Sequence, residues 1–361
     1  MTSSSSMPTL PLGGSASSEH ISRMNLGLMG LTWTDPSHFT PDDEAFATMR
    51  ASLDAGCRLW DAGQFYGPSV DPHANLKLVK RYFDKYPEDK ERVVLCVKGG
   101  VDIFGKGGYA EKSMAGMAPV TNVDTLRETL KQIRAELGSD KGGKELDLWE
   151  PARFPKAISV EEAIKMYISL RDEGLFKHLS LSEVGGETLK KAIEVSNNGI
   201  ATVEVEYSPF CMEAESQGVV RICEENKIPI LAYSPVGKGL LTGSVRSRDD
   251  LPKGDPRLHQ DSFSPENFDH NITLADSINR IASERGATAA QICLAWILQR
   301  SPIFAPIPGT RKAAYAKENA EAGKITLDSK EVKQIDEILS QFKRKGGRYN
   351  EHARNSGSLW A

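Results

Sequence analysis

Short runs of β-forming residues alternate with longer amphipathic stretches along almost the whole chain, and this alternation restricts the available folds more than any other feature. The eight β-rich runs lie at 25–31, 57–62, 92–98, 145–150, 176–182, 201–207, 228–234 and 303–308. Amphipathic patterns predict helices at 42–55, 123–137, 160–173, 187–196, 270–286 and 328–342. Because single helices separate successive strands, the pattern indicates βαβ units and a parallel sheet.

Eight such units predict an α/β fold of the (β/α)₈ TIM barrel type. Long βα loops are expected at 99–121, 208–214 and 235–270, and the last two helices are extra C-terminal elements. The alternative is an open doubly wound sheet, which usually carries a G-x-G-x-x-G turn after its first strand. Here GLTWTDP follows the first strand and lacks that turn, so we favour the barrel.

The chain of 361 residues is long enough for two domains, but no linker or shift in composition divides it. We predict a disordered, Ser-rich leader at 1–8, a single barrel domain at 9–345 and a C-terminal tail at 346–361. The segment TPDDEAFATM predicts the start of the first helix, with Thr40 as its N-cap and Pro41 at the first helical position.

Composition argues against several classes of protein. The 45 basic and 49 acidic residues give a net charge of −4, without the basic excess typical of nucleic-acid or membrane-surface binding. No apolar run is long enough for a transmembrane helix. The five cysteines are scattered and include no C-x-x-C pair, which predicts buried thiols in a reducing compartment, the cytoplasm or also the nucleus. The seven histidines show no metal-ligand spacing, so we expect no metal.

The predicted strand ends carry polar residues that a buried strand does not need. In LWDAGQFYG the second strand ends near Asp61 and Tyr66 follows in the loop, whereas LCVKGG ends the third strand at Lys98. Active sites of (β/α)₈ barrels lie at these strand ends, so we expect the three side chains to meet. A cationic Lys98 would lower the pKa of Tyr66 and make it a general acid or base, with Asp61 pairing the lysine. A purely structural Asp–Lys pair beside a surface tyrosine stays open as the alternative.

Several motifs, in order along the chain, resemble those of the aldo-keto reductase superfamily over roughly residues 20–345. LWDAGQFYG and LCVKGG resemble its Asp-x-x-x-x-Tyr and strand-end Lys motifs. LSLSEVGG, VEVEYSPF, ILAYSPVGKGLLTG and PIPGTRKAAYAKEN resemble its segments at strands 5 to 8. Within the superfamily, GLMGLTW, ANLKLVKRYFDKYP and a late RYN make the chain most similar to the fungal pyridoxal reductases.

The resemblance implies NADPH-dependent reduction of a small aldehyde, pyridoxal to pyridoxine, with hydride from the nicotinamide. It implies that Tyr66 donates the proton, Lys98 tunes the tyrosine and Asp61 holds the lysine. Two alternatives stay open. One is a reductase of other aldehydes or ketones. The other is a non-catalytic, NADPH-sensing regulatory subunit, because potassium-channel β subunits also resemble this superfamily. We expect neither nucleic acid nor a membrane as a partner.

The resemblance also implies an NADPH site at the strand ends. A Gly-rich loop with Lys238 is expected to bind the pyrophosphate, and the cationic helix start at Arg311 the adenosine 2′-phosphate. The implied cofactor-binding residues are Thr32, Trp33, Ser182, Glu183, Glu204, Tyr233, Ser234, Pro235, Val236, Lys238, Gly239, Leu241, Gly309, Thr310, Arg311, Tyr315, Glu318 and Asn319. The residues expected to contact the substrate are Trp33, Phe65, Trp149, Arg153 and Phe210.

The sequence departs from the superfamily pattern at four positions. Ala152 stands where a His usually precedes the Arg, so Arg153, Glu150 or Trp149 is expected to orient the carbonyl instead. Tyr315 stands where many relatives have Arg. Glu183 and Glu204 replace the Asn and Gln that usually contact the nicotinamide amide. A carboxylate accepts from an amide NH₂ group but cannot donate to its carbonyl, so these two changes affect cofactor recognition.

Overall fold

A computed structural model describes residues 7–34, 36–103, 118–252, 255–349 and 360. In this part of the chain the strands are β1 (Thr9–Pro11), β2 (His20–Ser22), β3 (Leu26–Gly27), β4 (Leu59–Gly63), β5 (Val94–Gly99), β6 (Leu148–Pro151), β7 (His178–Ser182), β8 (Ile200–Glu206), β9 (Ile230–Tyr233) and β10 (Phe304–Pro306). Strands β3 to β10 form one parallel sheet in sequence order. Each of the eight predicted β-rich runs therefore overlaps one strand of this sheet, with bounds that differ by a few residues.

Backbone contacts between the first and last strands close the sheet into a barrel. The N–H of Asn25 donates to the carbonyl of Pro306 at 3.0 Å, and the N–H of Gly27 donates to Pro308 at 3.2 Å. The predicted (β/α)₈ fold is thus confirmed. The first strand is shorter than its predicted range of 25–31, because the chain turns into a helix at Met29.

The helices of the described residues lie between the barrel strands along the chain or follow the last of them. They are α1 (Met29–Thr32), α2 (Asp42–Asp54), α3 (Ala74–Lys85), α4 (Val123–Leu137), α5 (Val160–Asp172), α6 (Gly186–Val195), α7 (Glu213–Ser216), α8 (Val219–Asn226), α9 (Pro265–Arg285), α10 (Ala289–Arg300), α11 (Ala313–Glu321) and α12 (Ser329–Gln341). The six predicted helices correspond to α2, α4, α5, α6, α9 and α12 within a few residues. No helix of the described ranges has both the length and the apolar character needed to cross a bilayer.

The predicted start of α2 is displaced by one residue. Pro41 has φ −54° and ψ 146°, so it is the non-helical N-cap and Asp42 is the first helical residue. Thr40 lies outside the helix, and the prediction of Thr40 as N-cap is wrong. The three acidic residues of the first turn still lie where the positive end of the helix dipole stabilises them.

A hairpin formed by β1 and β2 seals the N-terminal end of the barrel. Leu10, Leu12 and Ile21 pack with the inward-facing residues of the barrel strands in one buried cluster. The hairpin lies so close to the barrel that a Cβ on Gly13 would come within 2.5 Å of the Ile200 carbonyl oxygen. An active site is therefore expected at the C-terminal end of the barrel.

The predicted leader at 1–8 lies mostly outside the described residues. Met7, which the structure describes, is buried with Met24 and Cys57, and its side chain approaches Gly56. Met7, the first of the described residues, is therefore already part of the packed structure.

Candidate active site

Three predicted side chains come together at the C-terminal ends of β4 and β5. Gly63 is paired in register with Lys98, which brings the loop after β4 over the end of β5. The Lys98 ammonium donates a hydrogen bond to the Tyr66 hydroxyl at 3.1 Å. Asp61, Tyr66 and Lys98 are all buried. A phenol and an ammonium in contact at this end of a barrel form a site for proton transfer.

The segment LWDAGQFYG holds Tyr66 through its backbone. Gly63 has no side chain, and a Cβ there would lie 2.6 Å from the Tyr66 ring, so only glycine permits this fold-back. The Tyr66 carbonyl accepts from the Thr32 hydroxyl at 2.6 Å. Asn75 in turn donates to Thr32 at 2.8 Å and accepts from the N–H of Gly63 at 3.1 Å. Thr32, predicted as a cofactor residue, thus also fixes the catalytic loop.

Lys98 lies among carboxylates, but its ion-pair partners are not the predicted one. It pairs with Glu204 and, at 3.2 Å, with Glu150, whereas Asp61 forms no ion pair with it. Burial opposes the charge of Lys98, yet Asp61 and Glu204 outweigh it, so the pKa of Lys98 is well above its ordinary value. Burial first, and then the charge of Glu204, raise the pKa of both Asp61 and Glu150 well above theirs. The cluster therefore combines one lysine cation with two acids, Asp61 and Glu150, whose protonated forms are favoured by burial.

The expected lowering of the Tyr66 pKa is not what the structure gives. Burial raises the pKa of Tyr66 well above 10, and Lys98 opposes this shift without reversing it. The prediction from sequence considered the lysine charge but not the desolvation of a phenol that is 5% exposed. Tyr66 is consequently a neutral phenol, which is the form required of a proton donor.

Two residues of this cluster form, together with Cys96, a set of potential metal ligands. One ligand atom each of Asp61, Cys96 and Glu150 lies within 4.8 Å of the others. Lys98 already supplies a cation at Glu150. Burial raises the pKa of the Cys96 thiol well above its usual range and disfavours the thiolate that binds metal. These contacts favour a protonated cluster over a metal site.

Aromatic side chains cover one side of the tyrosine. Trp33 stacks on Tyr66 with a centroid distance of 5.3 Å, and Phe65 meets both rings edge-on. Ala152, which replaces the usual histidine, packs in the same buried cluster as Phe65 and Tyr66. The nearest histidine along the chain, His178, instead pairs with Glu19 at the start of β7.

One of the five predicted substrate residues, Trp149, lies elsewhere in the barrel. Trp149 is fully buried against Tyr167 of α5 and Phe176, in the layer between barrel and helices, so its assignment to the substrate pocket is wrong. Glu150, its neighbour on β6, points inward to Lys98 because successive strand residues alternate between faces. Phe210 is buried near Phe342 and the Arg344 guanidinium, beside Gly237 of the loop after β9. Arg153 lies at the rim, where its Nη2 is 3.5 Å from the Tyr349 hydroxyl.

The loop after β9 has the strained backbone of a ligand-binding turn. Ser234 and Lys238 have φ of 50° and 57°, in the left-handed region that disfavours side chains, and Gly239 has 88°. The Lys98 ammonium lies 5.8 Å from the centroid of the Tyr233 ring, so this ring faces the catalytic cluster. Pro235 and Val236 continue the turn, and Leu241 is buried beneath it.

The polar groups around this turn match the needs of a nicotinamide cofactor. Buried atoms without hydrogen-bond partners among the described residues include Ser182 Oγ and Glu204 Oε2. These atoms lie at the ends of β7 and β8, where they can accept from an amide. Lys238, which was predicted to bind the pyrophosphate, donates to the Arg348 carbonyl at 3.0 Å and lies 3.3 Å from a Glu206 carboxylate oxygen.

The loop after β10 and the helix that follows it carry the residues predicted to bind the adenosine part of NADPH. Gly309 bridges to Gly27, and the Thr310 hydroxyl accepts from the N–H of Lys312 at 3.2 Å, just before α11. Arg311 is exposed and forms no ion pair within the described chain. Tyr315 is 51% exposed in the first turn of α11. The last predicted residues of this group are Glu318, which accepts from the Thr288 hydroxyl, and Asn319, which is half-buried on the same helix.

Sequence reasoning missed three residues of this rim. Arg348 and Tyr349 come from the predicted tail, and Glu206 comes from a barrel strand. The motif RYN supplied the one available signal for the first two, but it was assigned no role. Arg348 pairs with Glu183, and the Tyr349 hydroxyl lies 2.9 Å from that of Tyr233.

Comparisons with known proteins agree with this geometry. The family model for the Aldo/keto reductase family matches residues 23–340. Probable pyridoxal reductase 2 of Schizosaccharomyces pombe is 33% identical, over 93% of this chain and 97% of its own length. The NADP(+) aldo-keto reductase yakc of the same yeast is 31% identical over 95% of each chain. The putative pyridoxal reductase of Saccharomyces cerevisiae is 29% identical, over 90% of this chain and 94% of its own.

The fold has close structural counterparts as well. The glycerol dehydrogenase of Gluconobacter oxydans superposes with a TM-score of 0.75 at 22% identity, covering 92% of this chain and 95% of the dehydrogenase. That likeness concerns the barrel alone. The family match spans most of the sequence and includes the loop that holds Tyr66 and the strand that contains Lys98. This chain therefore belongs to the aldo/keto reductase family.

Proposed function

We propose that this protein reduces an aldehyde with NADPH, and that pyridoxal is the substrate, converted to pyridoxine. The contact of 3.1 Å between the Lys98 ammonium and the Tyr66 hydroxyl supports this proposal most directly. Bound NADPH supplies the hydride that reduces the carbonyl carbon. Tyr66 supplies the proton that the carbonyl oxygen then needs, and its raised pKa keeps it protonated until that oxygen becomes basic.

Lys98 has two tasks in this proposal. Its positive charge stabilises the Tyr66 phenolate that remains after proton transfer. It also joins Tyr66 to Glu150 and, through charge, to Asp61, the two acids whose raised pKa values keep them protonated. Protons held in this buried cluster are available to restore the phenol after each turnover.

The choice of pyridoxal rests on the walls of the site and on the relatives. Trp33 and Phe65 offer flat apolar surfaces beside Tyr66 that match an aromatic ring. Arg153 at the rim offers a cation to a polar ring substituent. Two of the relatives carry pyridoxal reductase in their names. The five cysteines are all buried and unpaired, which supports the cytoplasm as the compartment of the reaction.

A single assay tests the substrate proposal. The purified protein is mixed with NADPH and pyridoxal, and the loss of nicotinamide absorbance is followed against a mixture without pyridoxal. Oxidation that depends on pyridoxal supports the proposal. Turnover of other aldehydes but not pyridoxal would replace the substrate and keep the reaction. Tight NADPH binding without turnover of any carbonyl would favour a regulatory, non-catalytic role.

We expect Arg311→Ala to weaken NADPH binding about tenfold more than NADH binding, the effect of losing one charge-assisted hydrogen bond to a phosphate. The reason is that Arg311 is an exposed cation without a carboxylate partner, placed at the start of α11 where it can meet the 2′-phosphate. Fluorescence titration with each cofactor measures the two affinities. Lys317→Ala, which removes an exposed cation further along α11, serves as the control. Equal weakening of both cofactors by Arg311→Ala would refute the phosphate contact.

A further inference from the structure

Arg348 of the C-terminal segment 346–349 is buried in the rim of the site. Its side chain is 2% exposed and the side chain of Glu183 is fully buried. The Arg348 guanidinium donates to both oxygens of Glu183, at 3.2 Å from Nη1 and 2.5 Å from Nη2. The two residues are 165 positions apart in sequence. A forked, fully buried pair of this kind fixes both side chains in one orientation.

Other contacts hold the same segment against the cofactor loop. Lys238 donates to the Arg348 carbonyl, and the Lys238 ammonium lies 4.9 Å from the centroid of the Tyr349 ring. The Tyr349 hydroxyl is 2.9 Å from that of Tyr233, whose ring faces Lys98. The segment is therefore attached to residues on both sides of the turn after β9.

The chemistry of Glu183 alone does not suit a carboxamide. A primary amide presents an NH₂ group that donates and a carbonyl that accepts, and a carboxylate satisfies only the first. Glu183 is ionised, because Arg348 outweighs burial and lowers its pKa to about 2. Its backbone φ of 56° is strained for a residue with a side chain, which indicates that the surrounding fold holds this carboxylate in one position.

We propose that Arg348 is a cofactor-positioning residue that completes carboxamide recognition by giving the Glu183 site the hydrogen-bond donors that a carboxylate lacks. Two of the five N–H groups of Arg348 bind Glu183, and Nε lies 3.3 Å from a Glu213 carboxylate oxygen, which leaves the second N–H of Nη2 as a donor among the described residues. The pair together offers an acceptor and a donor, as a single Asn or Gln amide does, and is electrically neutral. This inference rests on the proposed use of a nicotinamide cofactor.

The first test is Arg348→Met, which keeps the length of the side chain and removes its charge and its donors. We expect NADPH binding, measured by fluorescence titration, to weaken at least tenfold. Arg344→Met is the matched control, because Arg344 belongs to the same stretch and pairs with Glu213 but not with Glu183. We expect its NADPH affinity to stay within about threefold of the wild type, a difference below ~1 kcal/mol.

The second test is the double variant Glu183→Gln/Arg348→Met, which replaces the ion pair by one amide. The carboxylates left near it keep cations, since Glu206 is 3.3 Å from Lys238 and Glu213 pairs with Arg344, so this variant avoids an unpaired buried charge. We expect its NADPH affinity to return to within a few-fold of the wild type. A reduced 3-acetylpyridine analogue of NADPH keeps the carbonyl but lacks the NH₂ group, so Arg348→Met should weaken its binding as much as that of NADPH.

The outcomes separate this inference from the proposed function. If the wild-type protein binds neither NADPH nor NADH, the proposed function fails. If the wild type binds NADPH and Arg348→Met binds equally well, the positioning role is refuted. Tighter binding by Arg348→Met would mean that the segment obstructs the cofactor, which also refutes it. If Arg348→Met does not fold, a folded double variant that binds NADPH more than tenfold more weakly than the wild type is the refuting result.

Discussion

Tyr66→Phe should lower the rate of aldehyde reduction by about 10²–10⁴-fold, the usual contribution of a positioned general acid. NADPH affinity should change little, because the ring that packs against Trp33 and Phe65 is retained and only the hydroxyl is lost. The measurements are single-turnover oxidation of NADPH with excess pyridoxal and a fluorescence titration with NADPH. The neutral phenol makes this effect large, because Tyr66 presents its proton in direct contact with the Lys98 ammonium.

Tyr82→Phe provides the matched control for this prediction. The Tyr82 hydroxyl is also buried and hydrogen-bonds Asp89 at 2.7 Å, but it lies among the helices outside the barrel. Its removal should lower stability without changing the rate per folded molecule. A Tyr66→Phe protein with wild-type turnover would show that another group donates the proton, and Glu150 would be the first residue to test.

The barrel and the core of the site were predictable because local patterns specify them. Eight β-rich runs separated by helical periods lead to few topologies, and strand ends in a barrel meet at one rim. In the motif LWDAGQFYG, Gly63 has no Cβ and so allows the Tyr66 ring to pack against its backbone. Asp61, Tyr66 and Lys98 could therefore be grouped from the sequence alone.

Features that depend on distant contacts or on burial could not be predicted in this way. The choice of Glu204 and Glu150 over Asp61 as ion-pair partners of Lys98 is set by the register of three strands. The rise in the Tyr66 pKa depends on desolvation, which sequence does not measure. Trp149 is a different case, because strict alternation along β6 would have placed it outside the barrel once Glu150 was assigned to the interior.

The contacts of the C-terminal segment could not be predicted from the sequence either. Arg348 and Glu183 meet across 165 positions, and nothing near either residue in sequence predicts the pair. From the sequence alone, the substitution of Glu for Asn at 183 was expected to affect cofactor recognition. With Arg348 in contact, the substitution and the late RYN motif have one explanation, since each residue supplies what the other lacks.

Lys98→Met should be more damaging than Tyr66→Phe, because it affects both turnover and folding. Turnover should fall by about 10³-fold or more, since the Tyr66 phenolate loses the charge that stabilises it in a buried site. Stability should fall by about 3–5 kcal/mol, the usual cost of removing one partner of a buried ion pair. Urea unfolding and NADPH oxidation measure the two effects separately.

The free energy of unfolding should fall as pH rises, in the wild type and in Lys98→Met alike. Asp61 and Glu150 have pKa values raised above those of the unfolded chain, first by burial and then by the charge of Glu204. A folded state that retains protons which the unfolded chain releases becomes less stable as pH rises above the ordinary carboxyl range. Urea unfolding of each protein should therefore give a smaller free energy of unfolding at pH 8 than at pH 5.5, and equal values would show that the folded state releases these protons as well.

Two further variants separate charge burial from catalysis in this cluster. Lys98→Met/Glu204→Gln removes the closest carboxylate along with its cation, and we expect it to recover most of the stability but none of the turnover. Lys144→Met breaks another buried lysine pair, 2.7 Å from Asp147, so it should lose stability while each folded molecule keeps its activity. If Lys98→Met kept wild-type turnover at any pH, the lysine would have no part in proton transfer, and its place beside Tyr66 would be structural only.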